Sequence, residues 1–404
     1  MNSIRFAVVA FSAYCSVVSS LGAPPDVAKP IIFPIALGGK CGYIDIQGSV
    51  IVKPQFYRCH SVSDGAAAFL ADNSNPSLWG YIDLQGNVTI PPSFEWVGDF
   101  SEGVAAARKN GQIVFIDHKG KILFKKEPMT IHGAGQDGPV DLQFSGGLMA
   151  FPDTATGKFG YIDRSGQFLI PPQFDGAYPF HDGLARIAAG SRFGYIDDKG
   201  ASLIEPVFNE ATDFHEGFAA AVQDSRGKTV VGFIDKTGQF RICSPFEPSQ
   251  VYNIMKADYD VEVARFNSFS RSETFPWILL LQNNGNPASP SHFAEGLVVV
   301  RNVPIDSSQC CTYAFLDRNG KRGVPGNFAK AEPFSEGLAV TDEGYINKAG
   351  IVVIPISRVG SGPLRLHEFK HGLARVDFTA SPFPNSRDPW GYINSLGTLV
   401  WESH

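Results

Sequence analysis

The side chains able to do acid–base, nucleophilic or metal chemistry are spread thinly along this chain. There are nine histidines: His60, His118, His132, His181, His215, His292, His367, His371 and His404. None belongs to an HExxH, the helical spacing that brings two imidazoles and a base to one zinc ion. His132 with Asp137 would make an acid–base pair, but both lie in the glycine-rich stretch HGAGQDG, which reads as an ordinary insert. Neither GxSxG nor a phosphate-binding P-loop is present, and the glycine-rich pieces lie in turns rather than ahead of helices. The six cysteines make no CxxC and no Cys/His cluster of zinc spacing. The conspicuous acids recur at fixed places: Asp45, Asp83, Asp163, Asp197 and Asp235 in one series, Glu102, Glu216, Glu295 and Glu336 in another. Such regularity reads as turn capping before it reads as catalysis. The expectation is therefore no catalytic, cofactor or metal residues, and binding residues that the sequence leaves unknown.

The regular acids belong to a repeat. The pattern Gly-Tyr-Ile-Asp-x-x-Gly stands as CGYIDIQG from Cys41, WGYIDLQG from Trp79, FGYIDRSG from Phe159, FGYIDDKG from Phe193, VGFIDKTG from Val231 and WGYINSLG from Trp390. Weaker copies begin at Val114, Ala314 and Gly344, and a degenerate one at Leu279. A second pattern, Phe-x-(Glu/Asp)-Gly-(Leu/Val/Phe)-Ala, follows downstream, as in FSEGVA from Phe100, FHDGLA from Phe180, FHEGFA from Phe214 and FSEGLA from Phe334. Between them lies a proline-then-aromatic element, as in PPSF to Phe94 and PPQF to Phe174. Successive first motifs start 30 to 47 residues apart. A period in that range with loops of variable length marks a repeat array.

Each element has a physical reason. Tyr-Ile-Asp behind an aromatic suits a half-buried strand. Asp-x-x-Gly fits a type I turn, with Asp accepting backbone bonds and Gly taking positive φ. The apolar run after the turn ends at proline, which cannot donate to a ladder. Gly-Leu-Ala-x-(Val/Ile) reads as a third strand. The fold class is thus all-β, a tandem array of about ten three-stranded meander units with almost no helix. An open superhelix or solenoid is favoured, with a closed β-propeller as the alternative; contact between the unit near Gly42 and the unit near Gly391 distinguishes them. Three stretches break the rhythm, near 125–143, 241–292 and 355–369.

These combined motifs resemble the WG (Trp-Gly) β-repeat of bacterial proteins, across roughly residues 30–403. The name-giving tryptophan remains at Trp79 and Trp390 and is replaced by Cys41, Phe159, Phe193 and Val231 elsewhere. The resemblance implies a β-repeat module, often exported and used as a binding surface, with no catalytic set to carry over.

Composition narrows the compartment and partners. Arg5, an apolar stretch from Phe6 to about Val18 and the small residues Ser19, Ser20, Gly22 and Ala23 read as a signal peptide over 1–23, with the repeat array over 24–404. Its apolar run is short against the ~20 residues of a spanning helix. The expected location is periplasmic or extracellular, with no stable membrane span after cleavage. A net charge of −6 excludes the basic footprint of a nucleic-acid binder. Whether Cys41, Cys59, Cys243, Cys310 or Cys311 pair is left open; small buried thiols or one bridge fit best. The functional expectation is an exported, non-enzymatic binding or scaffolding protein for a protein or cell-envelope glycan. The alternative is an envelope hydrolase with a site assembled from inter-repeat loops.

Overall fold

The Asp-x-x-Gly turns form as the residue types require. In the computed structural model, the Asp83 Oδ1 accepts bonds from the Gln85 and Asn87 amides at 2.9 and 2.8 Å. The Gly86 amide donates to the Asp83 carbonyl at 3.0 Å, with Gly86 at φ 82°. Asp45, Asp163, Asp197 and Asp235 cap their turns in the same way. The structure describes residues 31–74, 77–126, 142–225, 228–246, 292–302, 312–359, 364–378 and 389–403. The insert pair His132 and Asp137, the degenerate copy at Leu279, Cys310 and Cys311 lie outside them.

Each turn joins two strands of a small antiparallel sheet. The first sheet is β1 (Phe33–Leu37), β2 (Lys40–Ile44) and β3 (Val50–Phe56), in that order. The second is β4 (Arg58–Cys59), β5 (Ala66–Leu70), β6 (Trp79–Asp83) and β7 (Val88–Phe94). Nine such sheets form among the described residues. The glycine before each motif tyrosine is needed because the next strand crosses over it: a Cβ on Gly160 would lie 2.4 Å from the Ile170 carbonyl oxygen. The sole helix among the described residues is α1 (Ile356–Val359), within the expected irregular stretch.

The meander of three strands is as expected, and a fourth element is added. Part of the proline-to-glycine connector forms a short lead strand on the free edge of the following sheet: β4, Trp96–Val97, Gly176–His181, Glu210–Ala211 and Arg365–Lys370. The sequence gives these two to six residues no alternation of their own, so they read as loop.

Every sheet shares an apolar core with the next. Tyr81, Ile90 and Phe100 join the second to the third; Tyr195, Phe208 and Phe214 join the fifth to the sixth; Phe293 and Val298 join the sixth to the seventh. The motif tyrosines Tyr43, Tyr161, Tyr195 and Tyr345 are fully buried. Burial of one such large side chain contributes about 1.5–3 kcal/mol, so stacking rather than any single meander holds the array.

Each sheet is itself an open meander and none closes into a barrel. The ends of the array, however, meet. Phe33, Ile35 and Ile44 of the first sheet pack with Leu373 and Tyr392 of the ninth, backed by Trp390, Val400 and Trp401. The Phe33 and Tyr392 rings lie 5.6 Å apart. This is the first-to-last contact that separates the two arrangements weighed from sequence, and it corresponds to the closed one.

The cysteines add one cross-link at the same place. Cys41 on β2 and Cys59 on β4 form a disulfide, with Cα atoms 6.0 Å apart, tying the first sheet to the second.

Candidate functional site

Two relays run from sheet to sheet. In the first, each motif tyrosine hydroxyl donates to a carbonyl of the next connector: Tyr81 to Gly98 at 2.7 Å, Tyr161 to Tyr178 at 2.8 Å, Tyr195 to Thr212 at 2.6 Å and Tyr345 to His367 at 2.7 Å. Burial pushes these phenols well above their ordinary range. In the second, the acid of Phe-x-(Glu/Asp)-Gly accepts the backbone amides of the next unit's turn. The Glu102 carboxylate takes those of Gly146 and Gly147 at 2.8 and 2.9 Å, Asp182 that of Gly217 at 2.6 Å and Glu295 that of Gly337 at 2.9 Å. Burial alone would raise Glu102; bonds from Arg164 and the two amides outweigh it and hold the carboxyl below the usual range. Arg318 does the same for Glu216, and the Gly337 amide with Lys348 for Glu295. The sequence reads these glutamates as capping or solvating a turn; the turns they cap are those of the neighbouring unit, a contact between repeats that no single motif reveals.

The acids themselves sit at positive φ, from Asp64 at 47° to Glu336 at 54°, so the turn is strained in the direction that aims the carboxylate at the next unit. The expected equivalence of His181 and His215 also appears. At the same position Ser63 and Ser101 donate to the next phenylalanine carbonyl, at 2.8 and 2.5 Å. His181 and His215 instead lie ring beside ring, 5.1 Å apart, with His292 a further 4.7 Å from His215. Burial, then His292 and His181, push the His215 imidazole down, with Asp213 and Asp182 opposing.

Both relays stop where the ring closes. The ninth unit carries His371 in place of the acid, and the Tyr392 hydroxyl reaches the Pro34 carbonyl on β1, at 3.1 Å, instead of a connector. A cavity of about 470 Å³ lies there between β1, the disulfide and the ninth sheet. One wall carries His367, Lys370, His371, Arg375, Trp390 and Tyr392. Two of these lining residues are held by the buried Asp377, whose Oδ2 meets His367 Nε2 at 2.8 Å and whose Oδ1 accepts from Arg375 Nε at 2.7 Å. Burial would raise Asp377; bonds from His367 and Arg375 outweigh it and hold the carboxyl down. The Arg375 guanidinium lies 4.3 Å above the Trp390 ring, and Lys370 pairs with Glu368 at 2.7 Å. Burial pushes the Tyr392 phenol up to about 12.

A concave site of this size with a few convergent polar groups is suited to holding a ligand. Among the described residues no group of three or more His, Cys, Asp and Glu side chains is placed to hold a metal ion, and no helix is long and apolar enough to cross a membrane. Sequence reasoning named His367, His371, Trp390, Cys41 and Cys59 of this cavity singly but brought none of them together and assigned none to a binding site. Its residues come from opposite ends of the chain, and the signal available was an absence: no Phe-x-(Glu/Asp)-Gly connector precedes β1, where residues 24–31 read PPDVAKPI.

The molecule is an all-β repeat protein. Five of its units, residues 42–73, 79–112, 159–190, 193–226 and 313–341, match the family described as WG containing repeat. No curated protein matches it. Among solved structures it is similar to uncharacterized protein lmo1340 from Listeria monocytogenes EGD-e, at 10% identity and TM-score 0.38 over 74% of this chain and 93% of that one. It is also similar to apo AztD from Citrobacter koseri, at 10% identity and TM-score 0.34 over 93% of each. Likenesses at these scores carry no argument about what this chain binds.

Proposed function

We propose that this is an exported, non-enzymatic binding protein that takes a protein or cell-envelope ligand at the seam where its first and last units meet. The observation that carries the reading is the seam cavity. Each neighbouring pair of units is held by one relay or by both, the seam interrupts both, and it gathers Arg375, His367, Lys370 and two aromatic rings at a place the described residues leave open. The repeat family brings no catalytic set. The Asp377 carboxylate, the group nearest to a general base, is occupied by His367 and Arg375. Export rests on the signal-like residues 1–23, and an oxidising compartment suits the Cys41–Cys59 bridge.

Affinity capture from an envelope extract tests the binding reading, with the Arg375→Gln variant as comparison. Enrichment of one component by the native protein supports it. Capture of nothing, together with hydrolysis of a glycan or peptide panel, would reverse it in favour of the hydrolase. Mass determination of the secreted protein's N-terminus tests export: an intact Met1 on the cell-associated protein would remove that part.

A further inference from the structure

We propose that the seam cavity binds an extended polypeptide segment bearing an aspartate or glutamate, which adds to the outer edge of β1, paired with no strand among the described residues, as the lead strand does elsewhere. This deepens the binding reading and rests on it. The sixth sheet shows what such a strand does. There the Asn209 and Thr212 amides donate to the Val222 and Ala220 carbonyls at 2.8 and 2.9 Å. The Thr212 carbonyl accepts the Tyr195 hydroxyl of the preceding sheet, and Asp213 Oδ1 accepts from Arg186 Nε at 2.9 Å. Arg186 is also stacked on Tyr178, 3.6 Å from its centroid.

The closure has the receiving half of this arrangement. Arg375 stands at the repeat position of Arg186, Tyr392 at that of Tyr195, and Pro34 and Ala36 at those of Ala220 and Val222. The second sheet gives the same register: the His60 and Tyr57 amides donate to the Ala68 and Leu70 carbonyls, each at 2.9 Å. In these connectors the arriving strand supplies the N–H groups of the main-chain bonds named above; the Ala220 amide returns one bond, to Thr212 Oγ1 at 2.9 Å, and that bond is the one Pro34 cannot make. Strand addition of this kind takes affinity from main-chain bonds and specificity from side-chain partners. The partner here is Arg375: its Nε is engaged by Asp377, while among the described residues its Nη groups meet no acceptor. A forked guanidinium with free N–H groups selects a carboxylate.

The socket of the motif phenylalanine, by contrast, is filled. Phe33 occupies a repeat position that is Ala67, Ala105, Ala185, Ala219 or Ala374 elsewhere, and its ring lies against Tyr392 as Phe214 lies against Tyr195. The ligand segment therefore matches the connector up to Asp213 and departs before Phe214.

The test uses the whole secreted protein and a synthetic, C-terminally amidated peptide of residues 207–213, VFNEATD, with a second peptide ending in Asn. Titration calorimetry should show binding of the first and at least tenfold weaker binding of the second. Arg375→Gln should bring the two to equal, weak affinity, and Arg375→Lys should restore part of the preference. Equal affinity of both peptides for the native protein, or no binding of either, overturns the proposal. So does binding that appears only after removal of residues 24–30, which would make the chain's own leader the occupant. The peptide pair needs no variant to fold. If envelope capture succeeds equally with Arg375→Gln, the binding function stands and this site falls.

Discussion

The Tyr392 hydroxyl donates to the Pro34 carbonyl across 358 positions of sequence. It is the bond that Tyr81, Tyr161, Tyr195 and Tyr345 make to a connector 17 to 22 residues ahead, redirected onto β1. Phe33 completes the substitution by supplying from β1 the ring that a connector otherwise brings. The ring of sheets is thus closed by the Pro34 carbonyl and the Phe33 ring of β1 rather than by a connector, and the space left over is the cavity.

Closure should be measurable. Phe33→Ala removes a buried ring from the first-to-ninth core and should cost about 3–5 kcal/mol in denaturant unfolding. Tyr392→Phe removes one hydrogen bond and should cost about 0.5–1.5 kcal/mol. If Phe33→Ala left the midpoint unchanged, the ends of the array would not be packed in solution.

The turn glycines separate backbone strain from packing. Gly65 has φ 80° with no atom within 4 Å of an added Cβ, whereas a Cβ on Gly48, at φ 86°, would lie 2.5 Å from the Val400 carbonyl oxygen. Gly65→Ala should cost roughly 1–2 kcal/mol, the penalty of the left-handed region. Gly48→Ala should add overpacking on the order of 1–3 kcal/mol, because backbone of the ninth sheet must shift. Thermal melts of the two variants check the order; equal shifts would mean that the first turn does not press on the ninth sheet.

How much of this was legible beforehand follows from what a motif can encode. The Asp163 turn and the Tyr161 strand depend on residues within one unit, so their types and spacing displayed them; the strand expected to end at proline instead runs through Pro171 and Pro172 to Phe174, which pairs across a register shift with Phe159. The Glu102 bond to Gly146 and Gly147 depends on two units and reads, within one, as a cap. The cavity wall of Arg375 and Trp390 faces β1 only because the sheets return on themselves. Arg375 is legible as a repeat of Arg186, but the absence of its Asp213 counterpart becomes visible only once the first and ninth sheets are known to touch.

The disulfide should contribute through the unfolded chain. Cys41 and Cys59 are separated by 18 residues, and closing a loop of that order stabilises by about 3 kcal/mol in the chain-entropy picture. The double change Cys41→Ala with Cys59→Ala should lower the melting temperature, and a reducing agent should lower that of the native protein only. No effect of reductant on the native melt would show that the two thiols are not joined in the isolated protein.

Acid sensitivity should come in two stages with different owners. His215 is held below its ordinary value by burial and by His292 and His181. A group depressed in the folded state binds more protons when unfolded, so its contribution is present above the unfolded value near 6.5 and is lost as pH falls through the folded value. The turn and relay carboxylates follow lower down. Burial would raise Asp235, but bonds from Thr237 and Arg241 outweigh it and bring it to about 2. Its contribution is present above the unfolded value of 3.8 and disappears toward pH 2. His215→Ser places at this position the residue found at Ser63 and Ser101, whose hydroxyl bonds to the next phenylalanine carbonyl. Unfolding midpoints of this variant should lose the decline that the native protein shows below about pH 6.5, while keeping the steeper fall below pH 3.8. A variant whose profile follows the native one throughout would show that His215 does not contribute to the first stage.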